Sequence, residues 1–338
     1  MKRTGTTKPI CGAVLIASLL VLPVLFVAAS LFFGRYPLPV HEVLAAILRP
    51  GSVPLATRVA VWQLRLPRAL AAAFVGASLA VSGAAFQSVF RNPLVNSGIL
   101  GVSNGAGFGA CVAIVCFGGG VYTYLFSFVF ALVAVVLSWF AGRISRVTTT
   151  ITMILGGTIV GAFFSALVSI MKYIADPYSQ LPSITFWFMG SFASIGYSHL
   201  LALIPMTLGI LLVFLSRWRL NVLSMGEREA AALGLDVRRC QFLVIGGATL
   251  CTAAAVCISG TIGWVGLVIP HIGRMLIGNN NQKLVPVSIS LGACFMVLMD
   301  LLSRTLTGAE IPIGILCALI GTPFFVYLLK KTRGGNWT

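Results

Sequence analysis

The stretch "RALAAAFVGASLAVSGAAFQSVF" (Arg68 to Phe90) and the stretch that follows it, "RNPLVNSGILGVSNGAGFGA" (Arg91 to Ala110), decide the fold class. The first carries no charge after Arg68 and is long enough to cross a bilayer, which takes about 20 apolar residues in a helix. The second is interrupted by proline and glycine, both of which weaken a helix. The pair predicts a membrane-spanning helix followed by a broken one.

Apolar runs of this kind recur from one end of the chain to the other. Of its 338 residues, 58% are hydrophobic and 9% are charged, whereas soluble domains carry about 25% charged residues. We therefore predict an all-α polytopic membrane protein with a single transmembrane domain over residues 1–338 and no sizeable soluble domain. The amino-terminal run is interpreted as a retained span, because it lacks a clear cleavage site. The ten predicted spans are residues 10–33, 68–89, 97–117, 121–142, 150–172, 198–216, 240–259, 262–277, 284–303 and 312–329.

The distribution of lysine and arginine predicts the orientation. If both termini are cytoplasmic, most of the 23 basic residues fall on the inner side, as the positive-inside rule requires. This orientation places residues 221–239 in the cytoplasm. It leaves Arg58, Arg65 and Arg68 outside, where topology does not require them.

Several classes of function are disfavoured by the composition. The net charge of +16 is better explained by membrane topology and anionic lipid headgroups than by nucleic acid. The eight cysteines form no Cys-x-x-Cys pair and the three histidines lie far apart, so we predict no catalytic residues and no metal site. No Gly-Lys pair is present, so no P-loop is expected. Asp300 lies four residues before Arg304, which favours an intrahelical ion pair.

The segment "NVLSMGEREAAALGLDVRR" (Asn221 to Arg239) is the main charged interruption. We predict a helix, with Ser224 and Glu227 at capping-box spacing and Gly234 at its end. On its own the pattern fits a solvated loop helix as well as a surface for another protein. The pattern includes an apolar stripe of the kind that lies against another protein, and at this point both interpretations stay open: the stripe is Leu223, Met225, Ala230, Ala231, Leu233 and Leu235.

Two shorter patterns predict further elements. Residues 39–50 are typical of a helix at the outer surface, and residues 181–195 of a short helix at an aromatic belt. "GASL" at Gly76 recurs as "GATL" at Gly247, each before a glycine-rich segment, which indicates a weak inverted repeat. Glycines at close-packing spacing fit helix packing better than a direct role in a pathway.

Three segments together resemble a known family: residues 62–110, "LSMGEREAAALGLDVRR" and "SGTIGWVGLVIPHIGRML" (Ser259 to Leu276). They are similar to the permease subunits of ATP-binding-cassette importers for iron–siderophores, haem and vitamin B12. The resemblance implies a homodimer of ten-span subunits in the cytoplasmic membrane, two cytoplasmic ATPases that hold ATP and magnesium, and an external substrate-binding protein. No cofactor is expected on this chain.

The resemblance also assigns roles to single residues. Gly226, Glu227, Ala230, Leu233 and Gly234 match the part of the family that contacts the ATPase. Three arginines match positions that receive acidic residues of the binding protein, with headgroup anchoring as the alternative: Arg65, Arg68 and Arg304.

The family's translocation path runs along the dimer axis and is lined largely by the fifth span. This implies an inner gate at Thr149 and Thr150, with Gly156, Gly157 and Gly161 above it. Four family markers are expected to shape the broken helices without taking part in chemistry: Asn92, Pro93, Pro270 and His271.

The substrate stays open at this point. An iron chelate is the first expectation, and haem, a corrinoid or an oxyanion such as molybdate are alternatives. A stand-alone channel or secondary carrier is disfavoured because the spans hold few ionisable groups. An intramembrane enzyme is disfavoured because no nucleophile–base pair or metal cluster can be assembled.

Overall fold

The structure is a computed structural model that describes residues 9–96, 98–143 and 150–331. Within these ranges the regular structure is helical and no strand occurs. The α-helices are α1 (Pro9–Ser30), α2 (Val40–Leu48), α3 (Leu55–Arg58), α4 (Leu66–Val89), α5 (Val102–Phe117), α6 (Val121–Arg143), α7 (Thr150–Ile174), α8 (Gln180–Met189), α9 (Leu203–Leu215), α10 (Arg217–Met225), α11 (Glu227–Ala232), α12 (Val237–Ser259), α13 (Val265–Ile277), α14 (Asn281–Thr305) and α15 (Ile313–Lys331).

Three other helical pieces complete the described chain. A π-helical stretch, Val59–Arg65, joins α3 to α4, and the 3-10 turns Pro50–Ser52 and Tyr197–Ala202 precede α3 and α9. Together α3, the π-helical stretch and α4 form one apolar rod, Leu55–Val89.

Each of the ten predicted spans overlaps an α-helix, but the helices differ in length. Among the described residues, six are long and apolar enough to cross a membrane: Leu55–Val89, Val121–Gly142, Ile151–Ile174, Tyr197–Leu215, Val237–Ser259 and Asn281–Thr305. Four are shorter apolar helices: Val21–Ser30, Val102–Phe117, Val265–Ile277 and Ile313–Tyr327.

The third and eighth spans begin later than predicted. Residue 101 is a glycine with φ of +74° that precedes α5, and Trp264 has φ of +70° directly before α13. Because a left-handed residue cannot continue a right-handed helix, each helix begins only after it.

The core lies around α4 and α12, the two most buried candidate spans. Their alanine-rich sequences let neighbouring backbones approach. A methyl group at Gly76 would collide with the Gly292 carbonyl of α14, and one at Gly83 with the Gly266 carbonyl of α13. A buried hydrogen bond of 2.6 Å between the Ser82 and Thr252 hydroxyls joins α4 to α12.

The two predicted short helices are present in part. Residues 39–50 contain α2, Val40–Leu48. The predicted element at residues 181–195 is helical only as α8, Gln180–Met189, because Gly190 adopts φ of +72°. Before α8, Asp176 accepts hydrogen bonds from the Ser179 hydroxyl and amide and the Tyr178 amide, which hold the pKa of its carboxyl below the usual value.

Candidate functional site

The charged segment at residues 221–239 is three pieces, so the prediction of a single helix is wrong. It contains the end of α10, the whole of α11 and the start of α12. Gly226 separates α10 from α11 with φ of +137°, a conformation that side chains disfavour. The predicted cap is also wrong, because the Ser224 hydroxyl donates to the Asn221 carbonyl at 2.7 Å.

The end of α11 is set by glycine, as predicted. Gly234 has φ of +80°, and its amide donates to the Ala231 carbonyl at 2.9 Å. The Leu235 amide donates to the Ala230 carbonyl at 3.1 Å. These two bonds form a Schellman motif, which satisfies carbonyls that a helix end leaves open.

The five predicted ATPase contacts divide between the surface and the interior. Leu233 is 65% exposed and Gly234 is exposed, while the Glu227 carboxylate accepts a hydrogen bond from the Gln241 side chain at 3.0 Å. Gly226 and Ala230 are buried, and Ala230 has no exposed surface. In this subunit these two residues therefore hold α11 in place, and their contact with another protein stays a prediction.

The predicted apolar stripe divides in the same way. Leu223 and Ala230 belong to the core shared by α4, α10 and α12, whereas Met225 and Leu233 are 60% and 65% exposed. Around Leu233, α11 presents a surface that mixes charge and small side chains: Arg228, Glu229, Ala231 and Ala232. Such a surface suits contact with another protein.

At the opposite end of the molecule, Arg68 forms the centre of an ion cluster. Its Nε lies 2.6 Å from Asp300 Oδ1 and its Nη1 lies 2.8 Å from Glu310 Oε1. The predicted pair of Asp300 and Arg304 is present, with Oδ2 and Nε separated by 3.6 Å, but the Asp300–Arg68 contact is shorter. Arg68 thus ties α4 to α14 and to the loop before α15.

The other two predicted docking arginines bind the carboxyl-terminal end of α1. Arg304 donates to the Ser30 carbonyl at 2.9 Å, and Arg65 donates to the Leu31 carbonyl at 2.7 Å and the Tyr36 carbonyl at 2.5 Å. Cations are favourable at a helix carboxyl terminus, where carbonyls lack helical partners. The structure therefore brings Arg65, Arg68 and Arg304 together, but at 5–8% exposure and in contact with their own chain.

A pocket of about 230 Å³ opens beside this cluster. Glu310, whose side chain is 25% exposed, reaches its lining. The charged residues of the lining are mostly basic: Arg35, Arg65, Arg68, Arg304 and Glu310. The pocket therefore presents a positive surface on the side of the molecule opposite α11.

The predicted path residues of α7 face inward instead of lining an open surface. A methyl group at Gly156 would meet the Ser138 carbonyl of α6 at 2.7 Å, and Asn104 donates to the Gly161 carbonyl at 2.8 Å. Gly157 packs against the backbone at Ile99 and Leu100. The three glycines are packing positions in this subunit, and their assignment to the path stays a prediction.

In the single subunit, a different set of α7 residues is exposed. Its exposed residues include Ile151, Leu155, Thr158, Ile159 and Phe163. Thr149 lies outside the described residues. Thr150 is the first residue of α7, and only its backbone is described.

The family markers shape the irregular segments next to α4 and α13. The Asn92 side chain accepts the Leu94 amide at 2.9 Å, and Asn92 with Pro93 turns the chain away from α4. Pro270 lies inside α13 and His271 is buried beside it. Because proline has no N–H, Pro270 cannot donate to the carbonyl of Gly266, four residues earlier.

Gln87 of α4 satisfies that carbonyl, and sequence reasoning missed it. Its side-chain amide donates to the Gly266 carbonyl at 3.0 Å and to the Val95 carbonyl at 3.1 Å, and its oxygen accepts from Arg274. The signal that could have found such a residue was Pro270, which implies an unpaired carbonyl and hence a donor elsewhere. Sequence reasoning also missed Glu310, the second carboxylate on Arg68.

Nearly the whole chain is similar to known proteins. The family model described as the FecCD transport family matches residues 20–331. A molybdate import system permease protein, MolB, of Haemophilus influenzae is 43% identical over 326 residues, covering 94% of this chain and 96% of that protein. A probable iron chelatin transport system permease protein of Helicobacter pylori is 37% identical, covering 82% of this chain and 84% of that protein.

A solved structure agrees with these matches. It is an ABC transporter provisionally assigned to the metal-chelate type, in an inward-facing conformation. It superimposes with a TM-score of 0.85 at 41% identity, covering 94% of this chain and 99% of that chain.

Proposed function

The chain belongs to the FecCD transport family, and on that premise we propose that it forms the membrane pathway of an ATP-binding-cassette importer for a metal chelate, with an iron–siderophore first among the candidates. The observation that carries the proposal is the exposed surface of α11 around Leu233, at the end of the molecule opposite the Arg68 cluster. We propose that a cytoplasmic ATPase, which holds ATP and magnesium, binds this surface. The permease itself carries no cofactor and no catalytic residue.

The contact surface of this proposal differs from the predicted set. Glu227, Leu233 and Gly234 remain in it because they are at least partly exposed, and Arg228 and Glu229 join them. Gly226 and Ala230 contribute by fixing the position of α11. Gly226 and Ala230 thus affect the contact indirectly, because they position the backbone of α11.

We propose that the subunit crosses the cytoplasmic membrane ten times with both termini in the cytoplasm. The six long apolar helices and the four shorter ones support this number. In each half, a buried helix (α4 or α12) is followed by an irregular stretch and a short helix (α5 or α13), which supports an inverted repeat. A homodimer is proposed in which the open face of α7 lines the path.

At the outer end we propose that a substrate-binding protein docks over the pocket beside Arg68. The basic lining of that pocket supports the proposal, since a positive surface attracts the acidic residues of a partner. Because the guanidinium groups of Arg65, Arg68 and Arg304 are held by their own chain, their contribution is the positive potential beneath the partner.

Molybdate is the second candidate cargo. It is favoured by one observation, the 43% identity with the Haemophilus influenzae permease that is named for molybdate. Transport assays in vesicles that hold the permease, its cognate ATPase and its binding protein would compare ferric siderophore, haem, cobalamin and molybdate. ATP-driven uptake of a ferric siderophore supports the first candidate, and uptake of molybdate alone replaces it with the second.

The contact with the ATPase is tested with Leu233→Asp. We expect the variant to lose co-purification of the ATPase and to reduce ATP-driven uptake to background, because a carboxylate cannot be buried unpaired in an interface. The matched control is Leu48→Asp, since Leu48 is 77% exposed on α2 at the opposite end. Full ATPase binding by Leu233→Asp would refute the proposed surface.

A further inference from the structure

The side chain of Asn221 connects α10 to the amino-terminal end of α14. Its amide nitrogen donates to Asn280 Oδ1 at 2.9 Å, and its oxygen accepts the backbone amide of Asn281 at 2.7 Å. Asn221 therefore uses both ends of its amide group on the same partner helix. Within the described part of the chain, the other side-chain hydrogen bond from α10 to a different helix is local: Arg217 donates to the Phe214 carbonyl at the adjoining end of α9 at 3.0 Å.

The position it binds is a constrained one. Asn280 is the N-cap of α14, and its side chain also accepts the Gln282 amide at 2.9 Å. The first amides of a helix have no helical partner, so the bond from the Asn281 amide to Asn221 satisfies a group that would otherwise stay open. The two asparagines thus share the capping of α14.

The connection continues from α14 into the core. Asn281 is 2% exposed, and its Oδ1 accepts a hydrogen bond from the Ser88 hydroxyl of α4 at 3.0 Å. A continuous series of hydrogen bonds therefore runs from α10 through the start of α14 to α4. Its outermost member is Asn221.

Other contacts of this segment with the helices behind it are of a different kind. Leu220, Leu223 and Ala230 are buried by apolar packing, which is not directional. Glu227 makes a single side-chain bond, to Gln241 at the start of α12. Asn221 is the residue at which both a donor and an acceptor fix the position of α10 along a neighbouring helix.

The helix that Asn221 holds reaches the far end of the molecule. With 25 residues, α14 is about 37 Å long at 1.5 Å per residue. Its last turns carry Asp300 and Arg304, which belong to the Arg68 cluster. A displacement applied at the start of α14 therefore acts on the helix that carries the outer cluster.

We propose that Asn221 is a positioning residue for coupling: it fixes α10, which is joined to α11 through the single residue Gly226, to the start of α14, so that a displacement of α11 by the ATPase moves α14. This inference rests on the proposed function. It adds a route from the exposed segment to the bundle that the predicted contact residues do not include.

The test uses the assembled complex of permease, ATPase and binding protein in lipid vesicles. The rate of ATP hydrolysis is measured twice, once without the binding protein (basal) and once with the purified binding protein added (stimulated). For Asn221→Ala we expect unchanged co-purification and basal hydrolysis, and a ratio of stimulated to basal hydrolysis lowered about fivefold, the effect of losing roughly 1 kcal/mol of coupling. A residue with a merely structural role would lower assembly and both activities together.

Two further variants keep the result decisive. Asn279→Ala is the matched control, because Asn279 is exposed and its side chain makes no hydrogen bond to the described residues; its ratio should equal that of the wild type. Asn280→Ser keeps a side chain that caps α14 but is too short to reach Asn221; because the bond from the Asn281 amide to Asn221 remains, it should lower the ratio by a smaller factor than Asn221→Ala.

The outcomes separate the two proposals. If the wild-type permease binds no ATPase and shows no stimulation, the proposed function fails. If the wild-type complex is stimulated and Asn221→Ala keeps the full ratio, the role of Asn221 is refuted. If Asn221→Ala does not assemble, Asn280→Ser decides, and a full ratio in that variant refutes the role.

Discussion

Gln87 illustrates how one side chain can organise two broken segments. Pro270 removes the donor for the Gly266 carbonyl, and Gln87 supplies another donor from α4 while it also holds the Val95 carbonyl and Arg274. Gln87 makes these three hydrogen bonds in the interior, because only 4% of its surface is exposed. Buried polar groups are almost always paired, and here a single amide group pairs three of them.

Replacing Gln87 should therefore be costly. We expect Gln87→Leu to lower the free energy of unfolding by about 2–4 kcal/mol, because two buried carbonyls and one guanidinium lose their partner. Thermal unfolding of the purified permease in detergent measures the change. Gln282→Leu is the control, since Gln282 is exposed on α14. Equal melting temperatures for the two variants would contradict this account.

At this scale the sequence predicts which residues are unusual but not what they bind. Asn92, Pro93 and Pro270 are recognisable as breaks. The partner of the carbonyl that Pro270 leaves open lies 179 residues away from that carbonyl, and local pattern carries no information about such a distance. Arg65 is unusual as an outer arginine that topology does not require, and Arg304 is singled out by the family resemblance, but their binding to the end of α1 could not be read from spacing.

At the scale of helices, the sequence predicts existence and type well and continuity poorly. The apolar runs locate all ten of the predicted helices, because burial in lipid requires long apolar segments. The division of residues 221–239 was missed because it depends on the φ of +137° at Gly226. The backbone conformation of a glycine within a helical pattern cannot be predicted from the sequence. The close packing of Gly156 and Gly157 within the subunit could not be separated from a role in the path by spacing, because helix packing and a pathway use the same spacing.

Close helix packing in the core can be tested with two glycines. A methyl group at Gly83 of α4 would collide with the Gly266 carbonyl, whereas one at Gly246 of α12 would meet no atom within 4 Å. We expect Gly83→Ala to destabilise the protein by about 1–3 kcal/mol. Gly246→Ala should be neutral or stabilise by about 0.5–1 kcal/mol, since alanine favours the helix. Chemical unfolding measures both, and equal effects would argue against tight packing at Gly83.

At the scale of the whole molecule, the Arg68 cluster holds four parts of the chain together. It joins α4 to α14 and to the loop before α15, and the neighbouring arginines bind the end of α1. From the sequence, Arg65, Arg68 and Arg304 are predicted to lie on the outer side as surface residues. Arg68 is buried against two carboxylates, Asp300 and Glu310, that lie more than 230 residues away along the chain, whereas Arg65 and Arg304 are buried against carbonyls at the end of α1.

Breaking this cluster should weaken the whole subunit. We expect Arg68→Met to cost about 3–5 kcal/mol, because it leaves the buried Asp300 carboxylate without its nearest cation. Arg58→Met is the control, since Arg58 is an exposed arginine on α3. Adding Asp300→Leu to Arg68→Met should recover part of the loss, because an apolar pair can replace a buried ion pair. If Arg68→Met unfolds like Arg58→Met, the cluster does not stabilise the fold.

The same cluster has a consequence for the synthesis and membrane insertion of the protein. Arg68 precedes its partner Asp300 by 232 residues, which at 5–20 residues per second is roughly 12 to 46 seconds of translation. Throughout that interval the nascent α4 has a guanidinium without its carboxylate, and such a charge is expensive in lipid. Membrane insertion of this chain therefore needs a sheltered or hydrated environment for the start of α4 until translation has passed Asp300.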